Sequence, residues 1–257
     1  MYTDYHIHLF IDGTPVDLEK LSLIIDALKE AEISEVYDMG SKNAAGFQYR
    51  EVFEENGIRL KTCGFALYKG SGYGRFLGRA IDSMDEVPVL IDELYRKGAD
   101  FIKVVNSGVV SHRAKGFVTE GGFSGEELEY IVKEARKRSL PVICHVNSDG
   151  KIREALIAGV DSIEHGFFIN KESIHIMKEK GISWTPTVYA LLRYSRELSQ
   201  TSRAFYEGVI GEHLRMISYA TDIGVRVNIG SDSGSRGLRH GVSYHKERAI
   251  LSDYLRK

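Results

Sequence analysis

Short apolar runs alternate with longer amphipathic stretches along almost the whole chain, the order that βαβ units require. The runs predict strands at Thr3–Leu9, Glu35–Met39, Arg59–Leu67, Phe101–Asn106, Pro141–Val146, Ser162–His165, Ser183–Thr187 and Arg226–Ser231. Helical periodicity fills the intervals, for example over Leu18–Ala31, Gly125–Arg138 and Lys171–Lys180. In Gly125–Arg138, Leu128, Ile131, Val132 and Ala135 form one apolar stripe, and Ser124 is placed to cap it. Gly159 and Gly181 follow such stretches, where glycine ends a helix in the left-handed conformation. Eight units of this kind predict an α/β fold of the (β/α)8 TIM-barrel type, with a doubly wound open sheet as the alternative. No linker or charge block divides the chain, so one domain over residues 1–257 is expected. Three connections read as irregular: Lys69–Asp85, Ser107–Gly122 and Tyr189 to about Ser202. All three follow strands, on the face where barrels carry their chemistry.

Composition narrows the picture only a little. A net charge of −2 gives no footprint for nucleic acid or for an anionic membrane surface. No apolar run reaches 18 residues and no basic leader precedes an apolar one, so neither a membrane span nor a signal peptide is expected. Cys63 and Cys144 lie inside predicted strands, which suits buried, reduced thiols in a cytoplasmic protein.

The polar residues at strand ends change the picture more. His6 and His8 stand one residue apart, so in a strand they share a face. Lys103 lies in FIKVVNSG, His145 in VICHVNS, His165 in DSIEHG and Asp232 in VNIGSDSG, each within or just after an apolar run. Taken singly, each has an ordinary explanation: a snorkelling lysine, a hydrogen-bonded core histidine, a capping aspartate. Together they converge on one barrel axis, and burying so many polar groups without compensation is costly. A divalent cation supplies that compensation, since imidazole and carboxylate suit zinc and similar metals. The other five histidines (His112, His175, His213, His240 and His245) fall in predicted loops or helices.

The ordered set His6-x-His8, Lys103, His145, His165, Asp232 resembles the amidohydrolase superfamily over nearly the whole chain. The phrases GADFIKV, AGVDSIEHG, the Thr-Pro-Thr of strand seven and IGSDSG are similar to its branch of imidazolonepropionase-like and metal-dependent, prolidase-like dipeptidases. The resemblance implies a hydrolase of amide-type C–N bonds with a hydroxide bridging two divalent metals, zinc by donor chemistry. It implies that His6, His8 and Asp232 hold one ion, that His145 and His165 hold the other, and that Lys103 bridges both as a carbamate. Asp232 would also carry the proton from the attacking water to the leaving nitrogen. Substrates in keeping with it are dipeptides, N-acyl amino acids and cyclic amides. The accessory β-sandwich of many members is expected to be absent here, which leaves an edge for a homo-oligomeric contact.

Other readings stay open at this stage. Mononuclear relatives include imidazolonepropionase itself, which lacks the bridging lysine, and deaminases, which carry a glutamate soon after the strand-five histidine. Here His145-Val146-Asn147-Ser148 has none. Gly230-Ser231-Asp232-Ser233-Gly234 also fits a phosphate-cradling turn of a metal-free barrel, and a non-catalytic binding protein is a further alternative. Asn106-Ser107-Gly108-Val109 departs from the Thr-Gly-Gly usual in relatives, which leaves the substrate undetermined. Tyr189 at the mouth of strand seven, with His112 and Arg113 after strand four, are the candidate contacts to a small-molecule, anionic substrate. The glycine-rich Lys69–Arg75 stretch reads as a lid rather than a nucleotide loop.

Overall fold

A computed structural model describes residues 1–10, 18–70, 72–235 and 237–255. Strands and helices alternate as the pattern requires: β1 (Tyr2–Ile7), α1 (Leu18–Glu30), β2 (Ile33–Asp38), α2 (Ala45–Glu55), β3 (Arg59–Thr62), β4 (Ala66–Lys69), β5 (Gly78–Ile81) and α3 (Glu86–Arg96). There follow β6 (Ile102–Val105), α4 (Gly125–Arg136), β7 (Val142–Val146), α5 (Asp149–Ala158), β8 (Ser162–His165), α6 (Lys171–Lys180) and β9 (Ser183–Thr185). Three helices end the sequence of elements: α7 (Val188–Ser195), α8 (Gln200–Asp222) and α9 (Val242–Leu251). Among the described residues these strands pair in parallel, in the orders β1-β2-β3 and β5-β4-β6-β7-β8-β9. The architecture is the (β/α)8 barrel, in which strand alternation sends one set of side chains toward the helices and the other inward. Ile102, Val104, Val142, Cys144 and Ile163 pack with the helices in the main core. Phe101 and Ile143, of the opposite parity, join Met39 and Cys63 in a separate inner cluster.

The predicted strand Arg59–Leu67 is broken in two. Gly64 adopts φ +70° and its N–H donates to Thr62 Oγ1, turning the chain between β3 and β4. The predicted strand Arg226–Ser231 joins the sheets through single contacts instead of a continuous ladder. Arg226 O accepts from Trp184 N–H and Asn228 N–H donates to Trp184 O, while Ile229 O accepts from Tyr5 N–H and Asp232 N–H donates to His6 O. These bonds tie β9 to one side of the segment and β1 to the other.

Two stretches expected to be irregular are ordered. Lys69–Asp85, apart from residue 71, which lies outside the described residues, contains β5 paired to β4. Tyr189 to Ser202 holds most of α7 and the start of α8. Helix α7 forms because Glu247 of α9 accepts the N–H groups of Val188 and Tyr189, at 2.8 and 2.6 Å, satisfying donors that a helix start leaves unpaired. Ser124 caps α4 in a reciprocal capping box with Glu127, and Cys63 and Cys144 are free and buried, as expected. Among the described residues no helix is long and apolar enough to cross a membrane.

Candidate active site

The carboxyl end of β1 is fixed by a buried carboxylate. Asp4 accepts the N–H and the hydroxyl of Ser231, at 2.9 and 2.6 Å, and the N–H of His6 at 3.3 Å. Burial pushes the Asp4 carboxyl up to about 7 against these bonds. His6 and His8 then stand side by side, ring centroids 5.3 Å apart, and the His8 N–H donates to Ser233 O. Asp232 meets them from the other side: its Oδ1 lies 3.5 Å from His6 Nε2 and 3.1 Å from His8 Nε2. One donor atom from each of the three residues falls within 4.8 Å of the others, a spacing that a single cation can span.

Strand parity explains who else reaches this point. Lys103 and His145 share the inward parity of Phe101 and Ile143, so both project into the barrel. His165 has the wrong parity for an inward residue, since Ser162 and Glu164 alternate with Ile163. It turns inward because its backbone leaves the extended region, at φ +65°. Thr187 (φ +50°) and Asp232 (φ +54°) make the same departure at neighbouring strand ends, a conformation that non-glycine residues hold at a cost. Thr187 Oγ1 shares a 2.6 Å hydrogen bond with His165 Nδ1. The His165 ring lies 4.5 Å from that of His145 and 4.9 Å from that of His6, so the four imidazoles form a continuous row.

The electrostatics keep three of these rings, His6, His145 and His165, neutral. Burial, reinforced by the charge of Lys103, lowers His145 to about 3 and holds His6 well below the ordinary histidine range. Burial and the neighbouring rings do the same for His165. A neutral imidazole offers a lone pair to a cation. Burial opposes ionisation of Asp232, yet the His8 hydrogen bond and the electrostatic pull of its neighbours, Lys103 among them, hold its carboxyl below the usual range. Lys103 is 1% exposed, and among the described residues its Nζ has no hydrogen-bond partner. Burial lowers its pKa against the pull of Glu164. A buried amine with no hydrogen-bond partner among the described residues is costly as a bare ammonium.

Above this cluster opens a cavity of about 520 Å³, walled by Tyr73, Asn147, Phe167, Leu191, Arg193 and Tyr194 among others. A model of the amidohydrolase family matches residues 2–256. The chain belongs to the amidohydrolase family. Ochratoxinase of Aspergillus niger is 33% identical over 160 residues, which make up 61% of this chain and 33% of that protein. An uncharacterized protein of Mycobacterium bovis is 26% identical over 171 residues, 64% of this chain and 45% of that one. The match thus spans from a third to under half of the length of these curated relatives. Among solved structures, a Xaa-Pro dipeptidase with bound methionine in its active site superposes with TM-score 0.79 at 22% identity, covering 98% of this chain and 70% of that one. The A. niger ochratoxinase structure gives 0.78 at 23%, covering 98% and 66%, and another amidohydrolase gives 0.80 at 27%, covering 99% and 69%. At such identities the first two speak for the fold.

The amidohydrolase barrel does not bring every expected residue to its cavity. Tyr189 is not on the described lining; its N–H is engaged by Glu247 at the start of α7, and the wall is taken by Arg193 and Tyr194 further along the same helix. His112 packs on Phe205 and Tyr206, with Nε2 accepting from Ser202 Oγ and from Arg113 Nε at 3.3 Å, so neither His112 nor Arg113 lines the cavity. His240 hydrogen-bonds Ser233 Oγ through Nδ1, and His245 is exposed on α9. Three residues not singled out in the sequence contact this cluster. Tyr73, on the glycine-rich connection, lies over His145 with centroids 5.6 Å apart. Asn147 donates to Gly108 O beside His145. Glu164 contacts His6 Nδ1 at 2.5 Å. A charged residue between Ile163 and His165 in a short buried strand was the available signal for the last.

Proposed function

We propose that this chain is a metal-dependent hydrolase of amide-type C–N bonds, acting on a dipeptide, an N-acyl amino acid or a cyclic amide. The observation that carries this reading is the convergence of His6, His8 and Asp232 beside a buried Lys103 whose amine has no partner among the described residues. Family membership and the similarity to ochratoxinase support it. In this proposal His6, His8 and Asp232 would hold one divalent ion of the zinc type, His145 and His165 would hold a second, and Lys103, as a carbamate, would supply a negative charge to both. A neutral Lys103 amine, favoured by its apolar strand, adds to carbon dioxide through a new N–C bond and releases a proton.

When bound, such ions lower the pKa of water toward neutrality and polarise the scissile carbonyl. The rest falls to the chain's own groups. Asp232 accepts the proton of the attacking water at its carboxylate and later delivers it to the leaving nitrogen. His6, His145 and His165, held below the ordinary histidine range by burial, carry no charge that would compete with a cation. Phe167 and Leu191 exclude water from the reacting bond, and Arg193 suits a substrate carboxylate.

Metal content per chain, measured by plasma emission on protein expressed with zinc and bicarbonate, tests the proposal for wild type beside Lys103→Ala. About two ions per chain, falling clearly in the variant, with amine or carboxylate release from dipeptides, N-acyl amino acids or cyclic amides, is the expected result. A wild type that retains no ion would overturn it, and ammonia as the released product would move the reaction to deamination.

A further inference from the structure

Ser162 and Glu164 share the inner face of β8, and Glu164 is 1% exposed. Both of its oxygens are engaged: Oε1 accepts from Ser162 Oγ at 2.8 Å, and Oε2 lies 2.5 Å from His6 Nδ1. Thr185, on the neighbouring strand β9, adds another hydrogen bond. The carboxylate is therefore held in one orientation by its own sheet and reaches across the barrel to the ring from β1. The other nitrogen of that ring, Nε2, faces Asp232 at 3.5 Å and the space shared with His8.

An imidazole holds a cation only through a nitrogen without a proton. An acceptor at Nδ1 places the single proton of a neutral ring there and leaves the Nε2 lone pair pointing at the cluster. We infer that Glu164 is a positioning residue that fixes His6 as its Nδ1–H tautomer and aims its Nε2 at the cation site. The inference rests on the metal reading above, and it assigns to Glu164 a role beyond that of a satisfied polar group in the core. Carboxylates that orient metal-binding histidines in this manner typically contribute about 10–100-fold to metal affinity.

The test uses Glu164→Gln in the full chain, with zinc affinity measured by competition against a chromophoric chelator and His6 read by long-range 1H–15N correlation in metal-free, 15N-histidine-labelled protein. The amide keeps the shape of the side chain but can donate to Nδ1 as well as accept from it. Wild type should show the Nδ1–H pattern at His6. The variant should show a mixed or Nε2–H pattern and hold zinc about 10–100-fold more weakly, with a melting temperature within a few degrees of wild type. Equal zinc affinity in the two proteins, or an Nε2–H pattern at His6 in the wild type, would overturn the inference. A wild type that binds no zinc removes the metal reading instead, while the tautomer measurement still decides the role of Glu164. Should the variant fail to fold, Ser162→Ala frees one oxygen of the intact carboxylate and should weaken zinc by roughly 2–5-fold; no change there counts against the inference.

Discussion

Asp232 Oδ1 sits 3.1 Å from His8 Nε2, joining the segment after β9 to the end of β1 at the centre of the site. The same oxygen is 3.5 Å from His6 Nε2, so one carboxylate is shared by both rings of the H-x-H pair. A group in this place can ligate and also transfer a proton. Asp232→Asn preserves the shape, removes the charge and replaces an acceptor with a donor. Turnover on the best substrate is expected to fall by about 10²–10⁴-fold with a much smaller change in KM. A fall confined to KM would assign Asp232 to substrate binding.

The close approach at Gly230 yields a second expectation. A Cβ placed there would lie 2.3 Å from Thr185 Cγ2 and 2.7 Å from His6 Cβ, both on rigid strands. Gly230→Ala should therefore push His6 from its place, destabilise the fold by about 1–3 kcal/mol and loosen metal retention. Gly208 is the control: it lies exposed in α8 with nothing within 4 Å of its would-be Cβ. Gly208→Ala should raise stability by about 0.5–1 kcal/mol and leave metal content unchanged. Urea melts and plasma emission on both variants check the pair.

Arg193 lines the cavity and pairs with Glu197 at 2.9 Å, with both side chains partly exposed. A substrate carboxylate would compete with Glu197 for the guanidinium. Arg193→Met is expected to raise KM for carboxylate-bearing amides by about 10–100-fold, with little change in kcat, and to leave neutral amides unaffected. Equal effects on acidic and neutral substrates would show that Arg193 only shapes the wall.

Much of this was legible in the sequence, for a physical reason: barrel chemistry sits where apolar runs stop, and such stops are visible. His6, His8, Lys103, His145, His165 and Asp232 were all found that way, and the structure gathers them. The misses share a different reason. β5 carries the sequence Gly-Arg-Ala-Ile, too short and mixed to register as a strand, and is ordered by pairing with β4. α7 lacks a local side-chain cap, and the capping carboxylate, Glu247, comes from α9, far along the chain. Tyr189 was placed at the mouth of strand seven by position alone, but the choice of wall residue depends on the rotation of α7, which periodicity does not fix. Glu164 was in plain view inside DSIEHG, yet its partner belongs to β1, and a contact between distant strands has no signature in either.

Glu247 also gives the fold a pH dependence of definite sign. It is buried, and burial pushes its carboxyl from 4.5 to about 8, against the two N–H donors of Val188 and Tyr189, which favour the charged form. Between those pH values the folded chain keeps a proton that the unfolded chain releases, so this group's contribution to stability declines as pH rises from about 4.5 to about 8. The slope is bounded at about 1.4 kcal/mol per pH unit. Asp4, pushed up to about 7 by burial, acts in the same direction, so wild type alone would not isolate Glu247. The difference from Glu247→Gln does. Glutamine cannot titrate, and its NH2 cannot accept the second N–H, so the variant should be less stable by about 1–3 kcal/mol at pH 5. That deficit should shrink steadily toward pH 8 as the wild type loses its advantage. Chemical denaturation of both proteins across this range measures it, and two parallel stability profiles would show that Glu247 stays ionised beneath α7 throughout.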